Sequence, residues 1–112
     1  MAKAQNKVIA GSYEGNSISY NRGTPKMALG ISFDRTTIAE YELVTAEKIK
    51  SGSSAIIRGA IGGAVLGPVG LLAAVTAKNN GINTVAIVWK NGLKSLIEVD
   101  DKIYKAIVKE MF

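Results

Sequence analysis

SAIIRGAIGGAVLGPVGLLAAVTAK, residues Ser54–Lys78, is an apolar stretch set in a 112-residue chain that otherwise reads as strands, turns and one closing helix. Its run Ala55–Ala77 carries one charge, Arg58, and five of the twelve glycines: Gly59, Gly62, Gly63, Gly67 and Gly70. Gly59, Gly63 and Gly67 recur every four residues, so on a helix they share one face. Three arrangements suit such a stretch: a membrane span, a helical hairpin buried in its own domain, or a smooth face that packs against other copies.

Length alone favours the span, because residues 55–77 as one helix would extend roughly 35 Å at about 1.5 Å per residue. Composition opposes it. Only nine residues of the run are Ile, Leu or Val, and five glycines, Pro68 and Arg58 disfavour insertion. Pro68 would also clash with the carbonyl four residues earlier, so Gly67-Pro68-Val69-Gly70 reads as a break between two helical arms. The first arm is expected over roughly residues 53–66, and the second over Val69–Lys78. Small residues four apart permit close helix contact, and a domain of this size cannot easily hide so long an apolar segment. Self-association, or binding of a protein partner, through Gly59, Gly62, Gly63, Gly67, Pro68 and Gly70 is therefore the preferred reading. Membrane association through the same residues is the alternative.

Upstream, Lys7–Tyr13 and Ser17–Asn21 flank Glu14-Gly15-Asn16, which predicts a hairpin. Arg22-Gly23-Thr24-Pro25 is a turn, and Met27–Phe33 is expected as a short apolar strand. Ile38–Val44 fits period two, with Ala39, Tyr41 and Leu43 against Ile38, Glu40 and Glu42, but period 3.6 also groups Ile38 with Tyr41. A strand is favoured, with polar residues 45–54 leading out of it. Downstream, Asn83–Lys90 is the clearest strand. Asn91-Gly92 predicts a type I′ hairpin to Leu93–Val99. Asp100 or Asp101 then caps a helix to Met111, with Ile103, Ile107, Val108 and Met111 on its apolar side. Strands plus one packing helix give an α+β class in a single domain.

The chain has no cysteine and no histidine. Disulfides, thiolate metal sites and Ser–His or Cys–His nucleophiles are thus excluded by residue type. A net charge of +5 invites an anionic partner. The basic residues are nevertheless spread thinly, and no basic cluster is interleaved with aromatics, so nucleic acid is not the expected partner. The N-terminus has no long apolar run of the signal-peptide kind, and a cytoplasmic location, with membrane association as the alternative, is expected. No cofactor is implied.

Some pairs carry chemistry in principle. Ser51, Ser53 and Ser54, with Lys50 nearby, could surround an anion at a helix start, although a serine N-cap explains the same pattern more simply. Glu40 with Glu42, or Asp100 with Asp101, could form a carboxylate pair; strand edge and helix cap are the simpler readings. Trp89 with Tyr20 and Tyr41 could form an aromatic patch, and Lys102, Lys105 and Lys109 share a helix face, for which packing and solvation are the ordinary outcomes.

ISFDRTTIAEYELV, AIVWKNGLKSLIEV and the helix DDKIYKAIVKEMF, in that order around GAIGGAVLGPVG, resemble the bacterial and phage pleckstrin-homology-like proteins that carry a glycine-zipper insertion. The resemblance covers about residues 15–112. It implies a bent antiparallel sheet closed by the C-terminal helix, with residues 53–78 inserted as a Gly-rich helical hairpin, and an interaction module rather than an enzyme. The basic motif by which such domains hold phosphoinositides has no counterpart here.

Overall fold

Four strands precede the glycine-rich stretch: β1 (Lys7–Gly11), β2 (Ile18–Ser19), β3 (Lys26–Met27) and β4 (Ile38–Leu43). Two helices follow, α1 (Ala46–Ser51) and α2 (Ala55–Gly62), and then β5 (Ile82–Trp89), β6 (Lys94–Asp100) and α3 (Asp101–Met111). The computed structural model describes residues 4–52, 54–62 and 81–112. The class is α+β. An antiparallel sheet of order β1-β6-β5-β4 is accompanied by the small β2-β3 ladder and the C-terminal helix.

The β5–β6 pair is the sheet's centre. Its register runs from Ile82↔Asp100 to Val88↔Lys94. The turn is not type I′, because Gly92 has φ +89° while Asn91 stays at negative φ. Trp89 N–H donates to Leu93 O (2.9 Å), Gly92 N–H to Trp89 O (2.9 Å), and Leu93 N–H to Asn91 Oδ1 (3.0 Å). Residues 90–92 form a three-residue loop whose glycine takes the left-handed position.

Val85, Ile87, Trp89, Ile97 and Val99 face the larger core, where they meet Phe33, Met27, Ile18 and the α3 residues Ile103 and Ile107. The opposite face places Ala86 and Leu96 with Ala10, Val44 and Ile57 of α2. Both faces are covered, which is why these strands read as nearly continuous apolar runs rather than an alternation. Two bulges redistribute the outer strands between the faces. A break at Ile9 sends Val8 to the first core and Ala10 to the second, although period two would put them together. A break at Ala39 brings Ile38 onto the face of Tyr41 and Leu43, which resolves the ambiguous periodicity of that strand.

Three local expectations are corrected. The expected hairpin is only partly formed: β1 makes its main ladder with β6, where Val8 and Ala10 meet Ile97 and Leu96, and joins the Ser17–Asn21 arm through a single antiparallel bridge, Lys7↔Ser17. The returning arm still lines the outer edge of β1 through Val8 N–H to Asn16 O (2.9 Å), Gly15 N–H to Val8 O (2.8 Å) and Ile18 N–H to Asn6 O (2.7 Å). Met27–Phe33 is not one strand. Gly30, at φ +91°, closes a tight loop with Met27 N–H on Ile31 O (2.8 Å), burying Met27 and Phe33 and leaving Leu29 outside. Residues 45–54 include α1, capped by Thr45 Oγ1 accepting from Lys48 N–H (3.2 Å) and ended by Gly52 at φ +62°.

The closing helix is fixed at its start. Asp100 Oδ1 accepts from Ile103 N–H (2.8 Å), and Asn6 brackets the same residue, accepting from Asp100 N–H (2.9 Å) and donating Nδ2–H to Asp100 Oδ2 (3.2 Å). Ile103, Ala106 and Ile107 are buried, whereas Lys102, Lys105 and Lys109 are exposed.

Candidate functional site: the root of the glycine-rich segment

β4 and β5 pair directly, with Leu43 opposite Val85 and Val44 N–H donating to Thr84 O (2.8 Å). Residues 44–81 are therefore inserted between two strands that a short turn could join. The first part of this insertion is tied to the sheet by one carboxylate. Ser54 Oγ donates to Glu42 Oε1 (2.6 Å) and accepts from Ile57 N–H (3.1 Å), so one hydroxyl caps α2 and fastens it to β4. Lys48 Nζ lies 3.2 Å from Glu42 Oε2 and also donates to Leu43 O (3.1 Å). The hydroxyl bond from Ser54, followed by the Lys48 ammonium, outweighs desolvation and holds the Glu42 carboxyl below its ordinary value.

From this root α2 lies over β4, β5 and β6. Ile57 is 1% exposed against Ala86 and Leu96, Ile56 is half-buried, and Arg58 is exposed. Gly59 faces its own domain. A Cβ there would stand 3.1 Å from Lys94 Cε, so the aliphatic stem of Lys94 occupies the space that the missing side chain leaves. Gly62 is the last residue of α2. Gly63, Gly67, Pro68, Gly70 and the second arm Val69–Lys78 lie outside the described residues, as does Ser53.

The residues considered for an anion are brought near one another but are differently engaged. Ser51 Oγ donates to Lys48 O (3.2 Å) at the carbonyl end of α1, where the helix dipole repels anions. Ser54 faces a carboxylate, and Lys50 is exposed. The geometry there is that of a helix cap. Glu42 serves Ser54 and Lys48 rather than pairing with Glu40, which is exposed. Asp100 caps α3, and Asp101 accepts from Asn83 Nδ2–H (2.9 Å). Among the described residues no group of three metal-ligating side chains gathers.

Sequence reading missed two features. Glu98 is 2% exposed within β6, on the α2 side of the sheet, and its Oε2 accepts from Gln5 N–H (2.8 Å). Tyr13, not Tyr20 or Tyr41, makes the edge-on contact to Trp89, with ring centroids 5.6 Å apart and planes at 86°. Tyr20 and Tyr41 pack against the same core, and Lys102 Nζ lies 5.7 Å from the centre of the Tyr20 ring. A positive φ of 67° at Tyr13 is what turns the ring there, and no sequence motif marks it.

No known family model, curated protein or solved structure matches the chain. Among the described residues no helix is long and apolar enough to cross a membrane.

Proposed function

We propose that this chain is a non-catalytic interaction protein in which a pleckstrin-homology-like sheet domain carries a glycine-rich helical hairpin and self-associates through it. The observation that carries the reading is the direct pairing of β4 with β5, which leaves residues 44–81 as an insertion the sheet does not need for its connectivity. A long excursion of that kind inside a small domain usually serves binding. Among the described residues, the larger core is assembled from β1–β6, the loops around them and α3, without a residue of the insertion.

The sheet edges favour the same route. The outer edge of β1 is lined by residues 15–18. β4 is short, bulged and acidic, and Lys48 caps its Leu43 carbonyl, which is how sheets discourage strand-to-strand association. Association through the glycine face then falls to residues beyond Gly59, with Gly63 at the centre of the four-residue series.

Light scattering after size exclusion tests this. The parent chain is expected as a multimer, and Gly63→Leu, which places a bulky side chain in the close contact, is expected to lower the mass while the strand signal of the circular dichroism spectrum is kept. A variant with the parent's mass and melting behaviour would exclude helix contact at Gly63.

A further inference from the structure

The β5–β6 loop carries a chemically reactive dipeptide. Asn91-Gly92 and Asn80-Gly81 are the two Asn-Gly pairs of the chain, and Asn80 lies outside the described residues. In such a pair the second residue has no Cβ to keep its amide nitrogen from the asparagine side chain. Asn91 and Gly92 are both exposed, so water reaches them. We propose that Asn91 is a site of spontaneous deamidation that the closed β5–β6 turn holds back, so that modification there proceeds only when the turn opens.

The step is an intramolecular acyl transfer. Gly92 N loses its proton to solvent hydroxide and bonds to Asn91 Cγ. The Cγ–Nδ2 bond breaks, and Nδ2 takes a proton from water and departs as ammonia. Water then opens the resulting cyclic imide at either carbonyl, leaving aspartate or isoaspartate at position 91. The net reaction consumes one water and releases one ammonia.

The closed turn engages every group this step requires. Gly92 N–H, the nucleophile, donates to Trp89 O (2.9 Å), a bond that must break before the proton leaves. Asn91 Oδ1 accepts from Leu93 N–H (3.0 Å) and Asn91 Nδ2–H donates to Tyr13 Oη (3.3 Å), so the side-chain amide is held at both ends. The Leu93 bond taken alone polarises Cγ and favours attack. The nucleophile decides the outcome, because an amide nitrogen attacks as its anion and a proton shared with a carbonyl is harder to remove. The base of the turn is also anchored. Trp89 N–H donates to Leu93 O (2.9 Å), and the Trp89 indole is buried with its Nε1–H on Ser95 Oγ (2.8 Å). Freeing Gly92 N–H therefore means opening the hairpin end against a core residue.

The two products differ in what they do to the turn. Aspartate keeps the backbone and loses only the Nδ2–H bond to Tyr13. Isoaspartate routes the main chain through Cβ and Cγ, and the added methylene displaces Gly92 N–H from Trp89 O.

The test incubates the full chain at mildly alkaline pH, folded in buffer and unfolded in guanidinium, and follows Asn80 and Asn91 separately by peptide mapping and mass spectrometry. Hydrogen exchange at Gly92 N–H is measured on the folded sample. In guanidinium the two pairs should deamidate at comparable rates. In buffer Asn91 should react about tenfold or more slowly than in guanidinium, by a factor that matches the exchange protection of Gly92. The isoaspartyl chain, separated by chromatography, should have lost that protection. Equal Asn91 rates in the folded and unfolded chain, an unprotected Gly92 N–H, or an isoaspartyl chain that keeps the protection would each overturn the proposal.

Discussion

Replacing Ser54 by alanine removes two things at once, the cap on Ile57 N–H and the bond to Glu42 Oε1. Loss of a serine cap costs about 1 kcal/mol. The bond to the carboxylate is partly open to solvent and adds about 0.5–1 kcal/mol. The sum, about 1.5–2 kcal/mol, corresponds to a fall in Tm of roughly 6–10 °C for a domain of this size. Glu42→Gln should lose part of the same interaction, and the double variant should reveal a coupling of about 0.5–1 kcal/mol, since the two side chains touch. Ser51→Ala, exposed at the end of α1, is the control and should be near neutral. Thermal melts and hydrogen exchange at Ile57 and Arg58, whose N–H donates to Ser54 O (3.0 Å), are the assays. Acid adds a second readout. Because the folded-state value of Glu42 lies below its ordinary 4.5, its contribution is complete above that pH and is lost as pH falls through the folded value. The gap between parent and Ser54→Ala should therefore narrow in acid. A Ser54→Ala protein that melts within a degree or so of the parent, with unchanged exchange at Ile57, would refute the tether.

Three further outcomes follow from other parts of the molecule. Gly11→Ala should destabilise by more than about 2 kcal/mol, because a Cβ there would stand 2.6 Å from Lys94 O in a backbone held at φ +84°; denaturant melts measure it. Ser95→Ala leaves the buried Trp89 indole N–H and the Ser12 carbonyl without their shared partner, and should cost about 1–3 kcal/mol with a shifted near-ultraviolet tryptophan band. Burial, with a smaller contribution from Tyr41, raises the Tyr104 phenol above 10.0, so its contribution is complete below that pH and is lost as pH rises through the folded value. Alkaline melts should show this loss, and Tyr104→Phe should reduce it.

The core pairs were legible because their residues state their preference locally. Ile82–Trp89 and Lys94–Asp100 are rich in β-branched residues around a glycine turn, and Asp100 begins an amphipathic run. The partner of β1 was not legible, since Val8 and Ala10 find Ile97 and Leu96 across nearly the whole chain, and no local pattern encodes that. Both bulges had the same effect, shifting one residue per strand out of period two. The helix α1 was hidden because it is only six residues long and none of them is fully buried, Ile49 alone packing against the smaller core, and only Thr45 and Gly52 mark its ends. At the candidate site, the serine cap was readable from residue type, whereas its attachment to Glu42, twelve residues upstream, depends on how β4 presents that side chain. Gly59 shares the four-residue spacing of Gly63 and Gly67. Its use by the Lys94 stem depends on α2 lying across β6, which spacing does not encode.

The most direct test of self-association through the insertion is to replace residues 63–80 by a short Gly/Ser linker, keeping α2 and its tether, and to weigh both proteins by light scattering at equal concentration. The account predicts a multimeric parent and a monomeric variant that retains the Trp89 near-ultraviolet signature of the folded sheet domain. A monomeric parent, or a folded variant with the parent's oligomeric mass, would contradict it.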